Sequence, residues 1–210
     1  ARSAALAGVI DNFFEGSARV PLMISWPGRI APQRVAAHVS LVDLMPTLLD
    51  VARPAGVAEP VDPLDGASLL PLMTGDDDGR NRVVISEYSS EGVCAASRMV
   101  REGPWKYVYT YRLAPMLFNL EADPLELDNL AGRAEVRLVE EGLQARALQG
   151  WDPAAIHEQI LASQKRRLFL AEVSRKLKHA PNWAFQSHTD DARRYIRGGG
   201  DAGPTAVKAK

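Results

Sequence analysis

The chain has 210 residues, 46% hydrophobic and 24% charged, with a formal net charge of −1. That composition excludes a wholly disordered chain and is ordinary for a soluble protein. The balance of 25 Lys+Arg against 26 Asp+Glu leaves no basic footprint for nucleic acid. No apolar run approaches the roughly 18 residues of a membrane span, and the single cysteine, Cys94, excludes an internal disulfide framework.

In chain order, the first readable element is the apolar run Val20–Trp26, closed by Pro27-Gly28, the pattern of a buried strand. A helix follows from Ser40, where Leu41, Leu44, Met45, Leu48, Leu49 and Ala52 fall on one face and Ser40 with Asp43 forms a possible capping box. Pro46 is compatible with that helix only in its first turn. Residues 53–81 carry Pro54, Pro60, Pro63, Pro71 and an acidic run, so they read as a long surface connection with at most one short helical turn near Leu69 to Met73.

The period then changes to two. Arg82 to Tyr88, Ser97 to Arg101, Trp105 to Tyr111 and Met116 to Leu120 read as strands of a small antiparallel sheet, the middle pair joined through Glu102-Gly103-Pro104. Trp105, Tyr107, Tyr109 and Tyr111 give that sheet an aromatic face. Helices are expected over Ala134 to Leu148 and over Pro153 to Lys178, the second opened by a first-turn proline. From Gly198 the chain reads as a flexible tail.

Several segments, in order, resemble the C-terminal part of a sulfatase of the alkaline-phosphatase-like superfamily. These are Phe14-Glu15-Gly16-Ser17-Ala18-Arg19-Val20-Pro21-Leu22, the helix segment Val39 to Leu49, Gly103-Pro104-Trp105-Lys106-Tyr107, and Leu117 to Ala131 with its Asp123-Pro124 and Asn129-Leu130. Trp151-Asp152-Pro153-Ala154-Ala155-Ile156, Ser163 to Arg167, Trp183-Ala184-Phe185-Gln186 and Asp191-Ala192 are similar to the C-terminal extension of choline sulfatases. The fold class implied is α+β: the end of a large α/β domain (1–75), a small antiparallel-sheet subdomain (76–150), a C-terminal extension with a long helix (151–197) and an extended tail (198–210).

The resemblance implies hydrolysis of a sulfate monoester, choline sulfate in the subfamily. That chemistry needs a strong nucleophile, a divalent cation and a group that neutralises the leaving oxygen. In the family, formylglycine made from a Cys-x-Pro/Ala-x-Arg cysteine is the nucleophile and the metal is Ca or Mg. Those motifs are expected upstream of Ala1, and the absent initiator Met is expected to mean a start that is processed, trimmed or not natural. A lysine expected four or five residues before Glu15 is replaced by Asp11 and Ile10. The expectation is a chain inactive alone, with no catalytic or metal residue and no cofactor of its own. Cys94-Ala95-Ala96-Ser97-Arg98 fits the cysteine motif by letter, but it runs into the late sheet and reads as coincidence.

A quaternary ammonium donates no hydrogen bonds and is recognised by aromatic faces and carboxylates. Glu87 and Glu91, at a strand end, and Asp190 and Asp191, near Trp183, Phe185 and Tyr195, are the substrate-binding candidates; the resemblance to choline sulfatases implies that some of these acids face the ammonium, the tail pair in a neighbouring subunit. His38, His157, His179 and His188 share no ligand spacing and read as packing or surface residues. Gly16 reads as a tight-turn residue and Arg19 as a structural ion pair. The implied partners are a small-molecule sulfate ester and a second copy of the chain through the extension, with no nucleic acid and no membrane, in the cytoplasm. A non-catalytic oligomerisation module and a truncated or frameshifted gene product are the alternatives.

Overall fold

A computed structural model describes residues 13–52, 62–77, 79, 82–89 and 94–177. The chain divides into two compact units, the first ending at His157 and the second beginning at Glu158.

The first unit is organised by an antiparallel meander of β1 (Val83–Tyr88), β2 (Ser97–Glu102), β3 (Trp105–Thr110) and β4 (Met116–Asn119), side by side in that order. The period-two pattern predicts all four strands. β2 and β3 are joined by Gly103-Pro104 alone. Gly103 has φ +50°, and a positive φ followed by the fixed negative φ of proline suits a tight hairpin that keeps the strand twist.

Val100 pairs with Tyr107, and Tyr107 with Leu117, so these three side chains form a row across one face of the sheet. Helix α4 (Arg137–Leu148) lays Leu143 and Ala147 on that row, and all five residues are buried. Each large apolar side chain so buried contributes about 1.5–3 kcal/mol of transfer free energy. Trp105 and Tyr109 pack beside them, so the aromatic stripe is the packed face of the sheet.

The opposite face is covered too. Lys106 pairs in register with Phe118, and the Phe14 ring lies 6.1 Å from the Phe118 ring. Phe14 immediately precedes α1 (Glu15–Ala18), which contains Gly16, so that glycine sits in a helical turn. With both faces covered, Tyr107 and Lys106 are both buried although they alternate along β3. The polar positions of the alternation do not mark a solvent face here.

A 3-10 turn over Leu41–Asp43 leads into α2 (Leu44–Ala52), where the Asp43 carboxylate accepts the Ser40 N–H at 2.8 Å. Pro46 lies in the first helical turn, where its missing N–H is harmless. The expected apolar stripe is only partly covered: in the turn and α2 the buried residues are Asp43, Pro46 and Thr47, Leu44 and Leu49 are half-buried, and Leu41, Met45 and Leu48 are exposed. Polar bonds decide that orientation. Asp43 accepts the Ala67 N–H at 2.9 Å and pairs with Arg82 at 2.8 Å, and Thr47 Oγ1 accepts the Leu69 N–H at 2.8 Å. Gly66 allows the close approach, because a Cβ there would lie 2.2 Å from the Val42 carbonyl oxygen. The short helix expected near Leu69 is α3 (Leu70–Thr74).

The expected strand over Val20–Trp26 is not formed. A strand needs a neighbour for its backbone groups, and none of the four described strands pairs with this segment. Val20 to Ser25 are exposed, Met23 by 91%, and Trp26 is half-buried. Helix α5 (Pro153–Lys176) starts as predicted, with Asp152 Oδ1 accepting the N–H groups of Ala154 and Ala155 at 3.0 Å each. None of its side chains is buried. No helix among the described residues is long and apolar enough to cross a membrane.

Candidate functional site

Two polar junctions hold the segments that carry the sequence motifs. The first starts from the turn Glu121 to Ala131. Asp123 Oδ2 accepts the N–H groups of Leu127 and Asp128 at 2.7 and 2.9 Å, which closes the turn. Glu126 sits inside it with φ +56°, a left-handed conformation that costs on the order of 1 kcal/mol or more for a residue with a Cβ. Asn129 then ties the turn to β4 by accepting the Leu117 N–H at 2.9 Å and donating to the Pro115 carbonyl at 3.2 Å.

This arrangement presents Glu126 to β3. Its Oε1 lies 2.8 Å from Lys106 Nζ, and its Oε2 accepts the Glu15 N–H at 2.7 Å. Lys106 also lies 2.5 Å from Glu15 Oε1 and donates to the Phe13 carbonyl at 2.8 Å. One ammonium, 1% exposed, therefore gathers two carboxylates and a main-chain carbonyl, and docks residues 13–15 on the sheet. Nearby, burial holds the Arg101 guanidinium below its usual value, against the opposing pull of Glu15 and Glu126. Arg101 donates to the carbonyls of Gly103 and Trp105, and His38 Nε2 lies 3.0 Å from the same Gly103 oxygen. Arg19 adds little, since its pair with Glu15 is 3.9 Å long and mostly in solvent.

The second junction is built on Arg98 of β2, which pairs in register with Glu87 of β1. Arg98 Nε and Nη2 donate to Glu87 Oε1 at 3.0 and 2.7 Å, and Nη1 donates to the carbonyls of Ala147 and Gln149 at 3.0 and 3.2 Å. Its guanidinium lies 5.1 Å from the Trp151 ring centre, and Trp151 meets Tyr109 edge-on at 6.0 Å. A cation at the last carbonyls of α4 complements the negative end of that helix. Glu87, about half exposed, thus orients the arginine that fixes the end of α4 and the start of the extension.

Of the substrate-binding candidates, Glu87 is the one described; Glu91, Asp190 and Asp191, with Trp183, Phe185 and Tyr195, lie outside the described residues, as do His179 and His188. Cys94 is exposed and its pentapeptide leads into β2, where Arg98 is taken by Glu87. His157 lies 5.4 Å from the Tyr111 ring. The described residues do not fit a divalent cation: no three His, Cys, Asp or Glu side chains cluster among them. The buried acids Asp43 and Glu126 are committed to Arg82 and Lys106, and the partly exposed Glu15 shares Lys106. Lys106 and Glu126 lie in motif segments and Arg82 at the start of an expected strand, but the sequence assigns none of them a role. The available signal was a lone Lys between Trp105 and Tyr107 on a strand with apolar residues on both faces.

The family model for N-sulphoglucosamine sulphohydrolase, C-terminal, matches residues 10–150. The chain belongs to this sulfatase family. Both junctions fall mainly inside the matched range. The sulfatase chain is 42% identical over 192 residues to the choline-sulfatase of Rhizobium meliloti (strain 1021), covering 89% of this chain and 36% of that one. It is 41% identical over 131 residues to Arylsulfatase K of Gallus gallus, covering 57% of this chain and 24% of the relative. The chain thus spans about a quarter to a third of the length of these relatives. A solved 2-O GAG sulfatase is 33% identical over 49% of this chain and 22% of its own, with a TM-score of 0.41.

Proposed function

We propose that the chain serves as the C-terminal part of an enzyme that hydrolyses choline sulfate to choline and sulfate. The carrying observation is the choline-sulfatase match. It takes in more residues than 1–150 contain, so it runs past the family model into the segment that begins near Trp151.

In this reading the sulfate end is handled by formylglycine and Ca or Mg supplied by the remainder of the enzyme, and the chain alone releases no sulfate. The contribution of this chain is to the other end of the ester. Glu87, Glu91, Asp190 and Asp191 are the acids assigned to the quaternary ammonium, which can be met only by negative charge and aromatic faces. The half-exposed carboxylate of Glu87, held by Arg98 through Oε1 alone, supports its place in that set. The extension from Trp151 is assigned to contacts between copies of the enzyme; the bare Leu168 and Phe169 side chains of α5 support that assignment.

The test is a graft in which this chain replaces the matching C-terminal region of the Rhizobium meliloti choline-sulfatase. Sulfate release from choline sulfate is expected. A folded graft that cleaves an aryl sulfate but not choline sulfate would sink the substrate assignment.

A further inference from the structure

Arg98 closes the pentapeptide that begins at Cys94, and the structure gives it a definite place. It stands two residues before Val100 in β2, so it lies on the face of the sheet that α4 covers. Its side chain is 12% exposed, and a guanidinium withdrawn from water needs its N–H groups met. Nε and Nη2 both donate to Glu87 Oε1, while Nη1 donates to the carbonyls of Ala147 and Gln149 and the Trp151 ring lies 5.1 Å away. The end of α4 and Trp151 thus anchor the guanidinium independently of Glu87.

Glu87 is held at one oxygen only. Its Oε1 takes both N–H bonds, its Oε2 has no partner among the described residues, and the side chain is 48% exposed. An ionised carboxylate has acceptor capacity on both oxygens, so the pair leaves Oε2 uncommitted.

We propose that Arg98 is a positioning residue for the ammonium end of the substrate: it fixes Glu87 so that Oε2 meets the quaternary ammonium. The proposal deepens the functional reading above and rests on its assignment of Glu87 to that ammonium.

The nature of the ligand is the reason. A quaternary ammonium has no N–H with which to draw an acid into line, so the acid must be in place before the substrate arrives. A glutamate side chain at a strand end is otherwise free to rotate, and ordering it on binding subtracts from affinity. Two N–H bonds from an anchored arginine remove that loss. The positive charge of Arg98 works against the attraction, and the last carbonyls of α4 and the Trp151 face offset part of it.

The test uses the graft described above, with choline sulfate and an uncharged aryl sulfate as substrates. Arg98→Lys keeps the charge and loses the planar fork. It should raise KM for choline sulfate about three- to tenfold, with kcat and the KM for the aryl sulfate within about twofold of the parent graft. With Glu87→Gln already in place, Arg98→Lys should raise KM no further. Glu87→Asp, which draws the carboxylate back from the arginine, should also raise KM for choline sulfate, and it decides alone if circular dichroism shows Arg98→Lys to be unfolded. A rise with Glu87→Gln but not with Arg98→Lys or Glu87→Asp would overturn the positioning role and leave the substrate reading standing. Equal rises for both sulfates in Arg98→Lys would reduce the arginine to a structural tie and overturn it as well. An unaltered KM for choline sulfate in Glu87→Gln would remove Glu87 from the ammonium, and the proposal would fall with that assignment; a folded graft inactive on choline sulfate would overturn both.

Discussion

Lys106 and Glu126 form a 2.8 Å ion pair in which both side chains are almost wholly buried, and the same ammonium holds Glu15 and the Phe13 carbonyl. Breaking such a pair from one side leaves a charge stranded in a low dielectric. Lys106→Met should therefore destabilise by about 3–5 kcal/mol in urea unfolding. Adding Glu126→Gln to that variant should recover part of the loss, because both charges then leave together; a double variant whose cost is the sum of the singles would contradict the pairing.

The Tyr107 hydroxyl is buried and finds no partner among the described residues. Burial, reinforced by Glu140, pushes its pKa up to about 12, whereas an unfolded tyrosine titrates near 10. Between those values the unfolded state binds fewer protons than the folded one. Stability should thus be complete below about pH 10 and fall as pH rises through about 12. Tyr107→Phe should be as stable as the parent or up to about 1–2 kcal/mol more stable at pH 7, and should lose much of the alkaline decline. Urea midpoints measured from pH 8 to 11.5 check both; an unaltered decline would exclude Tyr107 as its source.

Two glycines should respond oppositely to alanine. At Gly66 a Cβ would meet the Val42 carbonyl oxygen at 2.2 Å, so Gly66→Ala forces backbone apart and should cost about 1–3 kcal/mol. At Gly142, within α4, a Cβ meets nothing within 4 Å, and Gly142→Ala should add about 0.5–1 kcal/mol through helix propensity. Thermal melts of the two variants decide, and a loss at Gly142 would contradict the placement of that helix face.

Arg98→Ala removes the donor that joins Glu87 to the last carbonyls of α4 and to the Trp151 ring. A cost of about 2–3 kcal/mol is expected. Glu87→Gln should cost less than half of that, since its carboxylate is half in solvent and the amide oxygen still accepts. Equal losses would mean that the carboxylate, not the arginine, organises the junction.

The sheet was legible because Trp105 to Tyr111 alternates aromatic with other side chains, short strand-forming runs flank it on either side, and Gly103-Pro104 marks the hairpin, signals that act over a few residues. The family was legible in short motifs such as Asp123-Pro124 and Asn129-Leu130, whose side chains close a turn and bind β4. What the residues alone concealed was set by partners distant along the chain. Lys106 is 93 residues from Phe13, whose carbonyl it binds, and no local pattern says that a lysine in a strand is buried. Met45 and Leu48 belong to the apolar stripe expected to be buried and are exposed, since periodicity marks a face but not what packs on it. Val20–Trp26 failed as a strand for the same reason, since pairing is a property of two segments.

The substrate assignment is tested most directly by the ratio of kcat/KM values for choline sulfate and for an uncharged aryl sulfate, measured on the graft that joins this chain to the remainder of the Rhizobium meliloti enzyme. If the acids of this chain meet the ammonium, choline sulfate should be preferred by at least about tenfold, the equivalent of about 1.4 kcal/mol of selective transition-state binding, and Glu87→Gln should erode that preference mainly through KM. A graft that turns over the aryl sulfate as well as or better than choline sulfate would contradict it.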